Sequence, residues 1–151
     1  MCRQLGCVQR GTVISVSGGW FKDLVSYLTT NNVNMGNYRY VVINCGINLL
    51  EINPNSQTDD WIEMEQLLMQ TKNSTPSTEF LVSLPVPHPT KPGVKSLSTL
   101  VEARLADTGI KCLNWSKSPC VFEEQGGGIN TTYFDKFDKF HLSHAAFRVH
   151  W

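Results

Sequence analysis

The chain has 151 residues, 41% of them hydrophobic and 17% charged, enough for one domain with its own core and too few for two comfortable ones. Thirteen basic residues balance thirteen acidic ones, so no net basic field draws in nucleic acid or an anionic membrane surface. No apolar run approaches the roughly 18 residues of a membrane span, and residues 1–10 carry Cys2, Arg3, Cys7 and Arg10 but no apolar stretch of the kind a signal peptide needs.

The five cysteines (Cys2, Cys7, Cys45, Cys112, Cys120) are an odd number. Their spacings fit neither a zinc module nor a small disulfide scaffold, and Cys45 falls inside an apolar run that reads as core. A reducing, intracellular setting is therefore expected. The sequons at Asn73, Asn114 and Asn130 are then chance matches, since they matter only in the secretory route. Residues 1–10 read as a short N-terminal extension and 11–151 as a single domain.

Taken in chain order, the predicted elements begin with Gly11 to Ser17, a short buried strand whose Thr12, Val13, Ile14 and Val16 are β-branched. Gly18-Gly19 breaks it, and Trp20 to Thr30 reads as a helix with Trp20, Leu24, Tyr27 and Leu28 on one face. Asn31 to Asn37 is a polar connection holding Gly36. Tyr40 to Cys45 is the strongest strand pattern, ending at Gly46-Ile47-Asn48. Leu49 to Asp60 reads as a loop. Trp61 to Lys72 reads as a helix with Trp61, Met64, Glu65, Leu68 and Met69 at helical spacing; the acids at its amino end suit its dipole. A strand over Glu79 to Val86 runs into Pro85, Pro87, Pro89 and Pro92, which forbid regular structure. Gly93 to Asp107 is a helix with Leu97, Leu100, Val101, Arg104 and Leu105 as its face, closed by Gly109. Ile110 to Trp115 is a strand. A long loop with Gly126-Gly127-Gly128 comes next, then Tyr133 to Phe140, then a helix from His144 that runs off the chain end at Trp151.

Alternating strands and helices predict an α/β domain with a mostly parallel sheet of 4–5 strands, covered on both faces in three α/β/α layers. Such folds set their sites at the carboxyl ends of the strands. That rule selects Ser17, Asn48, the segment after Val86 and the pair Asp138 and His141. Ser17 is a hydroxyl at a helix amino terminus, where partial positive charge favours an oxyanion. Asn48 offers a side-chain amide and Gly36 a backbone N–H as further donors. His141 can take the proton from Ser17, with Asp138 three residues earlier fixing its tautomer. These are the parts of acyl transfer by a serine nucleophile.

The same blocks resemble the SGNH (GDSL-type) hydrolases. The serine after the first strand, the glycine of the next loop, Val41 to Asn48 (Val-Val-Ile-Asn-Cys-Gly-Ile-Asn) and Asp138 to Ser143 (Asp-Lys-Phe-His-Leu-Ser) carry the likeness, which spans Val13 to His144. The compact length and His-Leu-Ser ending look most like the esterase-like domains in proteins of some non-LTR retrotransposons. The resemblance implies a flavodoxin-like three-layer fold and ester hydrolysis with no metal or cofactor. It assigns Ser17 as nucleophile, His141 as base, Asp138 as its orienting acid, and the Ser17 N–H, Gly36 and Asn48 as the oxyanion hole. The implied substrate is a small or lipid-like ester. Two acids of the family's pattern are replaced: Val16 stands where its first block has Asp, and Leu49 where its third block has Asp.

Simpler roles stay open for each residue. Ser17 suits a plain helix N-cap. Gly46-Ile47-Asn48 suits an ordinary turn, and Asp138 with His141 suits a surface turn. His88 is expected in solvent among the prolines, and His144 and His150 on a helix surface. Tyr133, Phe134, Phe137 and Phe140 are expected to pack the last segment onto the sheet. Gly126-Gly127-Gly128 lacks the lysine and hydroxyl of a phosphate loop. The rival function is a catalytically impaired binding or scaffold domain on the same fold. A nucleic-acid accessory role is disfavoured by the zero net charge.

Overall fold

The computed structural model describes residues 11–16, 19–45, 57–88 and 93–115, together with Thr131. Ser17, Asn48, Asp138 and His141 lie outside the described residues, as do the 1–10 extension, the triple-glycine loop and the expected last helix. In chain order the elements are helix α1 (Phe21–Thr30), strand β1 (Tyr40–Asn44), helix α2 (Gln57–Ser74), strand β2 (Glu79–Ser83), helix α3 (Gly93–Leu105) and strand β3 (Lys111–Leu113). A single 3-10 turn, Met35–Asn37, leads into β1.

The strands form one open parallel sheet in the order β1-β2-β3. Tyr40 pairs with Glu79 and Asn44 with Ser83; Leu81 pairs with Lys111 and Ser83 with Leu113. The ladder runs on at both ends, because Glu79 N–H donates to the Arg39 carbonyl (2.8 Å) and Leu84 N–H to the Leu113 carbonyl (3.0 Å). Parallel pairing is the consequence of a helix between each pair of strands. The described residues thus form an α/β arrangement, in keeping with the alternation of patterns.

Side chains alternate across the strands with period two. Ile43, Phe80 and Val82 are buried on one face, with Val41 and Cys112 packed beside them. All three described helices add to that same core: Phe21 and Leu28 from α1, Trp61, Met64 and Leu68 from α2, Leu97, Val101 and Leu105 from α3. Phe21 meets Trp61 edge to face, with ring centroids 5.1 Å apart, a favoured aromatic geometry. The described residues therefore make two layers, where the sequence predicts three: the opposite face, carrying Tyr40, Val42 and Leu113, is exposed.

Other differences have local causes. Residues 12–16 run beside β1 but form no ladder strand and are not buried as the sequence predicts, Val13 being 78% exposed. Thr12 meets the sheet through its hydroxyl, which accepts from the Tyr38 hydroxyl (3.0 Å), and the Val16 carbonyl is taken by the Gly19 N–H (3.2 Å). Helix α1 turns a different residue inward than its spacing suggests. Trp20 precedes the helix with its ring under the Lys22 ammonium (4.4 Å), so Phe21 fills the core while Tyr27 is exposed. Helix α2 begins at Gln57, making Asp59 and Asp60 its first turn and not the end of a loop. Strand β2 ends at Ser83, before the first proline.

Candidate functional site at the carboxyl end of the sheet

Two described stretches meet at this end of the sheet: the extended segment beside β1, which is described to Val16, and β1 itself, which ends at Asn44 and is followed by Cys45. They are tied together: the Cys45 thiol donates to the Gly19 carbonyl at 3.6 Å. Gly19 permits a tight return here, since a Cβ would sit 2.7 Å from the Val16 side chain. The Gly19 N–H donates to the Val16 carbonyl, and Gly19 in turn meets Cys45.

Helix α1 starts just past this point. Its opening N–H groups are already occupied. Asp60 of α2 accepts from the Phe21 N–H (3.0 Å) and the Lys22 N–H (2.9 Å), one on each carboxylate oxygen. Asp23 accepts from the Trp20 N–H (2.8 Å). A buried carboxylate thus caps the helix from 38–39 residues away in sequence, satisfying donors that a helix start leaves open. Burial pushes the Asp60 carboxyl above its ordinary value, while the Lys22 and Phe21 N–H groups and the Lys22 charge oppose that rise. The positive end of α1 faces Asp60 and Asp23; Ser17, where it is expected to favour an oxyanion, lies outside the described residues. In the sequence Asp60 reads as the end of a loop, serving the dipole of its own helix. No local signal announces a cap supplied across such a separation.

Gly36 stands at the opposite end of β1. Its N–H donates to the Asn34 side-chain oxygen (2.9 Å), and its carbonyl accepts from the Thr78 hydroxyl (3.5 Å), which also donates to the Tyr38 carbonyl (3.0 Å). A Cβ on Gly36 would meet Thr75 Oγ1 at 2.4 Å. The glycine answers to this close approach at the amino end of the sheet, and its N–H is engaged there. The structure does not bring it to the Gly19–Cys45 end.

His88 differs from expectation: it is 4% exposed, not in solvent. Leu84 continues the β2 ladder to Leu113, which draws Leu84, Pro85, Pro87 and His88 onto the core. Prolines bury there without leaving an N–H unmet. Between residues 12–14 and β1 runs a groove of about 310 Å³, with Leu24, Leu28, Val33 and Met35 along its apolar wall. Among the described residues, no three His, Cys, Asp or Glu side chains gather as a metal site would require. No described helix is long and apolar enough to cross a membrane. No protein-family model matches the chain, and no curated protein is similar enough to count as a match.

Proposed function

We propose that the protein is a serine esterase of the SGNH type, acting on a small or lipid-like ester. Ser17 attacks the ester carbonyl. His141, oriented by Asp138, accepts the Ser17 proton and returns it to the leaving alkoxide. The Ser17 N–H and Asn48 hold the oxyanion. Water then attacks the acyl-enzyme with His141 again as base, releasing the acid. Gly36 is left out of this oxyanion hole because Asn34 already holds its N–H.

The observation that carries the proposal is the Cys45–Gly19 hydrogen bond. It ties the chain just after Ser17 to the strand end that precedes Asn48, which supports a site where two of the four parts share one end of the sheet. The apolar groove beside residues 12–14 suits an alkyl portion of the substrate.

A second reading, a catalytically impaired binding domain on the same scaffold, is favoured by Asp60. Its carboxylate occupies the first donors of α1, and negative charge there opposes an oxyanion nearby. Val16 and Leu49 point the same way.

The deciding experiment is p-nitrophenyl acetate and butyrate hydrolysis, with fluorophosphonate labelling, by the wild type, Ser17→Ala and His141→Ala. The esterase reading expects turnover and labelling by the wild type and loss of turnover in both variants. Equal rates in three proteins of matching circular dichroism would leave the binding-domain reading standing.

A further inference from the structure

We infer that the outer edge of β1 is a docking site for an extended, uncharged segment of a partner protein, which adds there as a further strand. The inference does not rest on the esterase reading. Two features of the edge lead to it.

The first is a row of outward main-chain groups. Glu79 N–H donates to the Arg39 carbonyl, so in a parallel ladder the odd-numbered residues of β1 turn to β2. Tyr40, Val42 and Asn44 therefore turn their N–H and C=O groups to the other side, and all three residues are exposed. Among the described residues, no backbone hydrogen bond joins that side of β1 to another segment. Edge strands normally carry a charge, a proline or a bulge that deters pairing. Tyr-Val-Val-Ile-Asn has no charge and no proline, and it pairs residue for residue with β2, leaving no bulge.

The second is the slot beside this edge. Residues 12–16 run along β1 but are tied to it only near their two ends. Thr12 is held by the Tyr38 hydroxyl (3.0 Å), and beyond Val16 the Gly19 carbonyl is held by the Cys45 thiol (3.6 Å). The groove of about 310 Å³ lies between these ties, with Leu24, Leu28, Val33 and Met35 as its apolar wall. No charged side chain lines it, so it matches an uncharged occupant. Its volume is at the lower end of the range for ligand sites, about 300–1,000 Å³, and admits a short length of one chain but not a folded second copy of the protein.

Both features ask for the same occupant. An added strand meets the outward N–H and C=O groups with its own main chain and sets alternate side chains against the apolar wall. An alkyl group on that wall leaves the main-chain groups to water. Residues 12–16 do not fill the role themselves, because the Gly19 N–H holds the Val16 carbonyl (3.2 Å) and Tyr38 holds Thr12. The partner segment is thus rich in β-branched, uncharged residues, over a length comparable with the five residues of β1.

The test follows amide hydrogen exchange in the full chain, with and without the capped heptapeptide Gln-Thr-Val-Thr-Val-Thr-Gln. Without peptide, the Tyr40, Val42 and Asn44 amides should exchange faster than those of Val41 and Ile43, which face β2. Peptide that occupies about nine-tenths of the protein should slow the three outward amides about tenfold, since only the free tenth exchanges. Gln-Thr-Pro-Pro-Val-Thr-Gln lacks a donor at two successive positions and should leave them unchanged. Three results overturn the inference. Outward amides as slow as those of Val41 and Ile43 without peptide would mean that the chain itself or a second copy already pairs with the edge. Equal slowing by both peptides would mean contact without main-chain pairing. No slowing by either would mean that the edge takes no strand of this chemistry.

Discussion

At Asp60 two opposing forces act on one carboxylate. Burial disfavours its charge, and two α1 N–H groups favour it. Because the folded pKa lies above the ordinary 3.8, the folded state binds this proton more tightly than the unfolded chain. The resulting stabilisation is complete below about pH 3.8 and is lost as pH rises through the folded value. Urea melts of wild type and Asp60→Asn across the acid range should therefore show the wild-type advantage shrinking with rising pH; a growing advantage would contradict this sign. Asp60→Ala should cost about 1–2 kcal/mol, the usual loss for a helix cap, since the Phe21 N–H is then left without its acceptor. Gly36 supports a second residue-scale prediction. A methyl there meets Thr75 Oγ1, so Gly36→Ala should destabilise by about 1–3 kcal/mol as overpacking does. Gly36→Ala combined with Thr75→Ala should recover part of the loss, because the hydroxyl that blocks the methyl is gone.

At the scale of elements, α2 is the member that joins the others. Trp61, Met64 and Leu68 are fully buried along one side of it, Asp60 caps α1, and Glu65 pairs with Arg104 of α3. The Glu65–Arg104 pair is solvent-screened, so the apolar stripe is what binds the layer. Trp61→Ala should cost about 3–5 kcal/mol, the range for an aromatic deleted from a core, readable as a drop in the urea midpoint. In α3, Ser98 sits fully buried with no hydrogen-bond partner for its hydroxyl among the described residues. Ser98→Ala removes a desolvated polar atom without opening a large void. It should therefore leave stability unchanged or raise it by up to about 1 kcal/mol, and a loss of stability would mean the hydroxyl is satisfied in solution.

Across the whole molecule, the described helices stand on one side of a parallel sheet, and the other side is open among the described residues. The two functional readings separate at this scale. The esterase proposal requires His141 to act on Ser17, so Ser17→Ala and His141→Ala should each abolish turnover, whereas a binding domain predicts equal rates in all three folded proteins.

Sequence by itself determined the order of elements: β1, β2 and β3 from runs of β-branched and aromatic residues, α1, α2 and α3 from apolar spacing near 3.6, and the end of α3 near Gly109, whose φ is 73°. These are local signals, set by side-chain shape and backbone freedom within a few residues. It also singles out Ser17, Asn48, Asp138 and His141, whose mutual distances lie outside the described residues. Gly36 rests on loop position alone, and only the fold reveals that its neighbours are Asn34 and Thr75 at the far end of β1. Three further facts needed the tertiary structure: that Asp60 caps a helix other than its own, that His88 is buried, and that one face of the sheet is left open among the described residues. Each depends on contacts between segments distant in the chain, and residue patterns carry no record of which distant surface a side chain will meet.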